Sequence, residues 1–199
     1  VAQSQDIAKG VDEGGAGDQG IMTGYATNET PELLPTEFVL ARTIIQNIPS
    51  EYGPDAKCQV TLGDESVVIV SAQHKVGQVM DKLLDYVKQL SPEGAKIFIN
   101  PSGSFVIGGF NADTGVTGRK IVQDAYGPQV PVGGGAFSGK DPSKVDRSAA
   151  YMARKIACDY VRDGAETALV KIAYAIGVAE PVMQTVTING IKTEKINHS

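Results

Sequence analysis

The chain has 199 residues, 42% of them hydrophobic, a formal net charge of −5 and two cysteines. That length buries a sizeable core as one domain or two small ones. The acidic balance argues against nucleic acid or an anionic membrane as the main partner, because both select a basic face. No run is apolar for long enough to span a membrane and no signal-peptide pattern is present, so no membrane is expected as a partner. Cys58 and Cys158 lie far apart without C-x-x-C spacing. They predict a reduced, cytoplasmic chain, with Cys158 as a buried thiol. With only His74 and His198, a histidine-rich zinc site or a histidine relay is not expected, and His198 reads as part of a frayed tail. Val1 is not a start methionine.

Residues 1–20 are polar and glycine-rich, which predicts a mobile loop entering a tight turn. Gly15 to Gly20 fits G-x-G-x-x-G, but a polar loop precedes it and strand-like Ile21 to Thr27 follows. A dinucleotide fingerprint needs a strand before and a helix after, so that reading is rejected. A helix is expected after Pro35, with Phe38, Ala41, Ile44 and Ile45 facing a core. Residues 56–62 and 66–73 read as a hairpin turning at Gly63 and Asp64. A second amphipathic helix is predicted over 76–90 on Val76, Val79, Met80, Leu83, Leu84 and Val87. Ile97 to Ile99 is a short strand ending at Asn100 and Pro101, and composition changes at Ile107 to Gly109, where a domain boundary is placed. Val116 to Ala125 is strand-like, a helix is expected from Pro142 to about Arg162, and strands follow at 167–177 and 182–189. Helices and strands mix without strict alternation, so the expected class is α+β.

The segment Gly133-Gly134-Gly135-Ala136-Phe137-Ser138-Gly139-Lys140-Asp141 reads as an anion cradle. Its glycines let the backbone approach a ligand closely, and Lys140, Lys144 and Arg147 supply positive charge nearby. Asp141 as N-cap and Pro142 at the first helical position would then open a helix whose N-terminus points N–H groups at the ligand. A phosphate is the expected ligand, and the alternative reading of the same glycines is a purely structural turn. Gly134 to Lys140 also matches the first seven positions of the P-loop pattern, but Asp141 replaces the Ser or Thr that would hold magnesium. Two prolines, Pro128 and Pro131, stand where a P-loop needs a buried strand, so this is not a Walker site.

Gly15-Ala16-Gly17-Asp18-Gln19-Gly20 with Gly24-Tyr25, taken with the later glycine segment, resembles the two signature motifs of S-adenosylmethionine synthetases, also called methionine adenosyltransferases. Phe105-Val106-Ile107-Gly108-Gly109, Thr117-Gly118-Arg119-Lys120 and Tyr174-Ala175-Ile176-Gly177-Val178 agree with the same family, and the resemblance runs nearly end to end. It implies repeated α+β units with flat sheets packed at subunit interfaces. The divisions expected are a mobile active-site lid over 1–15, a central domain over 16–108 and a truncated C-terminal-type domain over 109–199.

The resemblance also implies the chemistry: methionine sulfur attacks the 5′ carbon of ATP and expels triphosphate, which is hydrolysed to pyrophosphate and phosphate. A thioether loses no proton on attack, so no general base is needed, and the demand falls on cations around the departing triphosphate. By resemblance, Lys57, Arg119, Lys120 and Lys140 are the catalytic cations. Asp55, Ser104, Phe105, Asp113 and Ala136 join them around ATP, and Gln3, Asp18, Asp113 and Lys144 surround methionine. Asp146 is the metal-associated carboxylate, with Mg2+ and K+ as the implied cofactors. Lys57 also reads as an ordinary solvated lysine at a strand start.

Set against the family pattern, a His-Pro-Asp-Lys segment expected upstream of Gln3 is not in the sequence, and the family continues beyond Ser199. The lid is short, with 14 residues between Gln3 and Asp18, and Val132 stands where histidine is frequent. The expectation drawn is the larger piece of a split synthetase, a homo- or hetero-oligomer completed by a second polypeptide. The alternatives are a non-catalytic nucleotide-binding regulatory subunit and a fragment of a full-length enzyme.

Overall fold

The computed structural model describes residues 4–193. In chain order its elements are α1 (Gln5–Asp12), β1 (Gly20–Thr27), α2 (Thr36–Gln46), β2 (Ala56–Thr61), β3 (Val67–Ala72), α3 (Asp81–Leu90), β4 (Lys96–Ile99), a 3-10 turn (Gly109–Asn111), α4 (Ile121–Asp124), α5 (Val145–Arg162), β5 (Thr167–Tyr174), β6 (Met183–Ile188) and β7 (Ile191–Thr193). The mixture is α+β, as expected. Two compact units form, one from residues 1–35 and 116–199 and the other from Thr36–Gly115. The first is discontinuous because β1 pairs antiparallel with β5, Gly20 opposite Tyr174 through Thr27 opposite Thr167. A compact unit therefore crosses the sequence division expected at 108/109, and that division stands as a proposal about the chain rather than as a cut between these units.

In the first unit the sheet runs β1-β5-β6-β7, all antiparallel, and α5 lies across β1 and β5. Alternation along β5 buries Ala168, Val170 and Ile172 on the helix side, where they meet Ala153, Ile156, Ala157 and Val161. The small residues are there for a reason. A Cβ placed on Gly24 would sit 2.0 Å from the carbonyl carbon of Ala153, so glycine sets how closely α5 approaches β1. Arg154, one residue on, donates to the carbonyls of Tyr25 (2.5 Å), Leu33 (2.8 Å) and Glu32 (2.8 Å) and lies over the ring of Tyr126. It thus ties the exit of β1 to the helix.

In the second unit β2 and β3 form the expected antiparallel hairpin, Ala56 opposite Ala72 through Thr61 opposite Val67. α3 then carries the chain to β4, which lies parallel to β3. Val68, Val70 and Ala72 meet Ile44 of α2 and Leu83 and Val87 of α3 in one core. Asn100 closes the sheet at the end of β4: at φ 42°, its amide accepts from Ala72 N–H (2.8 Å) and donates to Ala72 C=O (3.1 Å). A buried side chain thereby completes the main-chain pairing of β3.

Several elements differ from expectation. Residues 5–12 are helical rather than a loop, and the turn that follows is tied down by Ala16 N–H to Val178 C=O and Gly177 N–H to Ala16 C=O. On α2 the core contacts come from Leu40, Ile44 and, beyond the helix, Ile48, while Phe38, Ala41 and Ile45 are only half-buried. α3 starts at Asp81, not 76, because Gly77 turns with φ 75° and the Gln78 side chain accepts the Lys75 N–H at 2.9 Å. Val76 and Val79 are consequently 85% and 67% exposed. Val116 to Ala125 is a turn leading into α4 rather than a strand, with Val116 exposed. β7 was not foreseen. Among the described residues no helix is long and apolar enough to cross a membrane.

Candidate phosphate-binding site

Gly133 brings the glycine loop against the edge strand: a Cβ there would lie 2.2 Å from Ile21 C=O and 2.8 Å from the Thr23 hydroxyl. Gly134 follows at φ 75°, a conformation that L side chains rarely adopt. The chain next turns at Gly139 (φ 77°), and Lys140 folds back over the loop. Its Nζ would be 3.2 Å from a Cβ on Gly135 and is 2.5 Å from Asp146 Oδ2. The other oxygen, Asp146 Oδ1, would lie 3.4 Å from a Cβ on Gly134 and 3.9 Å from one on Gly20. Both signature glycine segments therefore face one carboxylate. Arg147 completes the arrangement by donating to Lys140 C=O while its guanidinium covers the ring of Tyr151.

The helix begins later than the N-cap pattern predicts. α5 starts at Val145 with Lys144 as its N-cap, and Asp141 and Pro142 precede it. Asp141 Oδ1 instead accepts from both the N–H (2.9 Å) and the hydroxyl (2.5 Å) of Ser143. Those two bonds, with Lys144 Nζ 3.4 Å away, lower its carboxyl from 3.8 to about 2. Asp141 is thus a turn-maker four residues before the helix. Asp146 falls in the helix's first turn, where its charge complements the dipole.

Arg119 and Lys120 are exposed on the turn that opens α4. Gly118, at φ 90°, brings this turn to the cradle, since a Cβ on it would lie 3.1 Å from the Ala136 Cβ. Lys144 also stands at the loop's exit, where its Nζ donates to the Ser143 hydroxyl at 3.2 Å. Asp18 is exposed and accepts the Gln19 N–H at 2.8 Å. Gln3 and His198 lie outside the described residues.

The other expected residues belong to the second compact unit. Lys57 is exposed on the β2 face turned away from the helices, alternating with Ala56, Cys58 and Val60. Asp55 Oδ2 accepts the Gly109 N–H at 2.7 Å, which anchors the loop after β4. Ser104 and Asp113 are exposed on that loop and Phe105 is half-buried. Gln73 and His74 hold the same loop and belong to no motif in the sequence. A polar pair closing an apolar strand is the signal that marks them.

Among the described residues no group of three His, Cys, Asp or Glu side chains converges as a metal cage. One carboxylate beside a phosphate cradle is nevertheless the donor set Mg2+ uses when substrate phosphates and water complete its shell, so Asp146 fits that ion.

A glycine-lined loop, a lysine folded over it and an aspartate of the following helix paired with that lysine make up the site, in a sequence that departs from the P-loop pattern. The family is given by comparison. Residues 13–105 match the model for the S-adenosylmethionine synthetase central domain, and residues 107–199 match that for its C-terminal domain. The chain belongs to the S-adenosylmethionine synthetase family. It is 48% identical to the S-adenosylmethionine synthase of Hyphomonas neptunium, over 94% of this chain and 56% of that protein. Against the S-adenosylmethionine synthase of Zymomonas mobilis it is 46% identical, over 96% and 58%. An unusual S-adenosylmethionine synthetase from Campylobacter jejuni superposes with a TM-score of 0.79 at 34% identity, covering 90% of this chain and 55% of the other. The chain thus spans a little over half the length of the relatives it matches.

Proposed function

We propose that the chain takes part in making S-adenosylmethionine from ATP and L-methionine, with release of pyrophosphate and phosphate, as the larger subunit of a two-polypeptide enzyme. The observation that carries this reading is Lys140, held by Asp146 at 2.5 Å above the glycine loop. A cation fixed before substrate arrives stabilises charge on a departing triphosphate without reorganising. Attack by sulfur forms the bond to the 5′ carbon as the carbon–oxygen bond breaks and its electrons pass to the triphosphate. No proton moves, so the chain's task is to place cations. Arg119 and Lys120, beside Ala136, extend the positive surface that Lys140 begins. Lys57, Asp55, Ser104, Phe105 and Asp113 are assigned to the nucleotide and Gln3, Asp18, Asp113 and Lys144 to methionine on the family resemblance. Mg2+, when bound, would neutralise phosphate charge beside Asp146; K+ is proposed on the resemblance alone.

The two-polypeptide form is proposed on the family resemblance, and the chain keeps both signature glycine segments. Exposed apolar side chains such as Phe110 (88%) and Phe98 (48%) support association with other subunits. A cytoplasmic location accords with the two free thiols. The test is a product assay with ATP and methionine on the complex purified from its source. Wild type should give S-adenosylmethionine, pyrophosphate and phosphate, and Lys140→Ala should slow the reaction by about 10²–10³-fold, the usual cost of one preorganised partner. Activity within a few-fold of wild type would remove Lys140 from the mechanism.

A further inference from the structure

The loop that follows β4 carries Ser104 and Phe105, and two consecutive residues at the end of β3 grip it. Gln73 Nε2 donates to Val106 C=O at 3.1 Å, and Gln73 N–H donates to Asp55 C=O at 2.9 Å. His74 N–H donates to Phe105 C=O at 2.9 Å. The fourth contact is unusual, because Phe105 N–H points at His74 Nε2, also at 2.9 Å. A backbone N–H can only donate, so Nε2 must carry a free lone pair. The ring's hydrogen therefore sits on Nδ1, which lies 2.9 Å from Lys75 C=O and donates to it. Both ring nitrogens are satisfied in one way only: a neutral imidazole with its proton on Nδ1.

We propose that His74 is a positioning residue for nucleotide binding: as the neutral Nδ1–H tautomer, it holds the Phe105 main chain in the conformation that presents Ser104 and Phe105. Phe105 is pinned through both its N–H and its C=O, and Gln73 and Asp55 fix Val106 and Gly109 beyond it. Space around the clamp is tight. A Cβ on Gly108 would lie 2.6 Å from Gln73 Oε1, and one on Gly53 2.8 Å from the same atom. All of these groups lie within the Thr36–Gly115 unit, so the clamp forms within one compact body.

The proposal rests on the nucleotide reading of Phe105, and its test separates the two. In the 199-residue chain labelled with 15N, His74 should show its proton on Nδ1, and a scalar coupling should pass between the Phe105 amide nitrogen and His74 Nε2. Only one other histidine, His198, needs assigning, which His198→Gln settles. A proton on Nε2, or no such coupling, overturns the clamp. Titration with MgATP, followed at the Phe105 amide, reads the function. His74→Gln keeps an acceptor for the Phe105 N–H and should bind within about threefold of wild type, whereas His74→Leu should bind about 10-fold more weakly, as expected when a main-chain donor loses its partner. If the coupling is present but His74→Leu binds MgATP as wild type does, the clamp is real and it is the placement of nucleotide at Phe105 that fails.

Discussion

Lys140 and Asp146 keep side-chain exposures of only 28% and 15%, so neither charge is fully solvated and each depends on the other. That partial burial sets the pair apart from a surface ion pair, and it is the geometry on which the proposed phosphate and metal roles rest. Surface pairs such as Lys82 with Glu51, at 81% and 40% exposure, contribute little by contrast. Cysteine chemistry lies at the same scale. Cys58 sits on the helix-facing side of β2, and burial pushes its thiol from 9.0 up to about 11. Raising a thiol's pKa lowers its thiolate fraction at any pH below both values, here by about 100-fold, and thiolate is the reactive form. In a Cys158→Ser background, alkylation of Cys58 at pH 8 should run about 100-fold slower than that of a free thiol, and rise about tenfold per pH unit up to pH 10. A rate equal to that of an unfolded peptide would contradict the burial.

The pairing of α5 with β1 is the contact that sets the first unit, and Gly24 is its closest point. Gly24→Ala should destabilise the protein by about 3 kcal/mol, because overpacking against main chain cannot relax as it can against a flexible side chain. Gly63→Ala, where a Cβ meets nothing within 4 Å, should change stability by less than about 0.5 kcal/mol. Thermal melts of the two variants check both, and equal midpoints would contradict the packing. Strands were the most legible elements. In β2 and β3 burial alternates residue by residue, with Ala56, Cys58 and Val60 set against exposed Lys57, Gln59 and Thr61, so the pattern maps directly onto two faces. Helix entries were not so legible. Asp141-Pro142 fits an N-cap by type, yet Asp141 spends its oxygen on Ser143, and the same side chain serves either role until the backbone chooses. Val116, Val76 and Val79 favour regular structure locally, but Gly118 and Gly77 at positive φ break it. The N-terminal helix was obscured by glycines at 10, 14 and 15, which pack against Gly177 or end the helix rather than loosening it.

For the whole molecule, the glycine loop and the cations beside it could be read from residue type alone, and a phosphate ligand is what that arrangement proposes. The pairing of Lys140 with Asp146 could not, because it depends on where the helix starts. Nor could the clamp at His74, which joins residues 31 apart through a main-chain bond that leaves no sequence pattern. ATP and methionine as substrates came from family resemblance, and the family itself is borne out over both matched domains. Native mass spectrometry of the complex from its source, with an S-adenosylmethionine formation assay on each separated species, tests the two-polypeptide proposal. The expected result is a complex of this chain with a second, shorter polypeptide, active only when both are present. Full activity from this chain as a lone species, or an inactive oligomer of it without a second polypeptide, would contradict it.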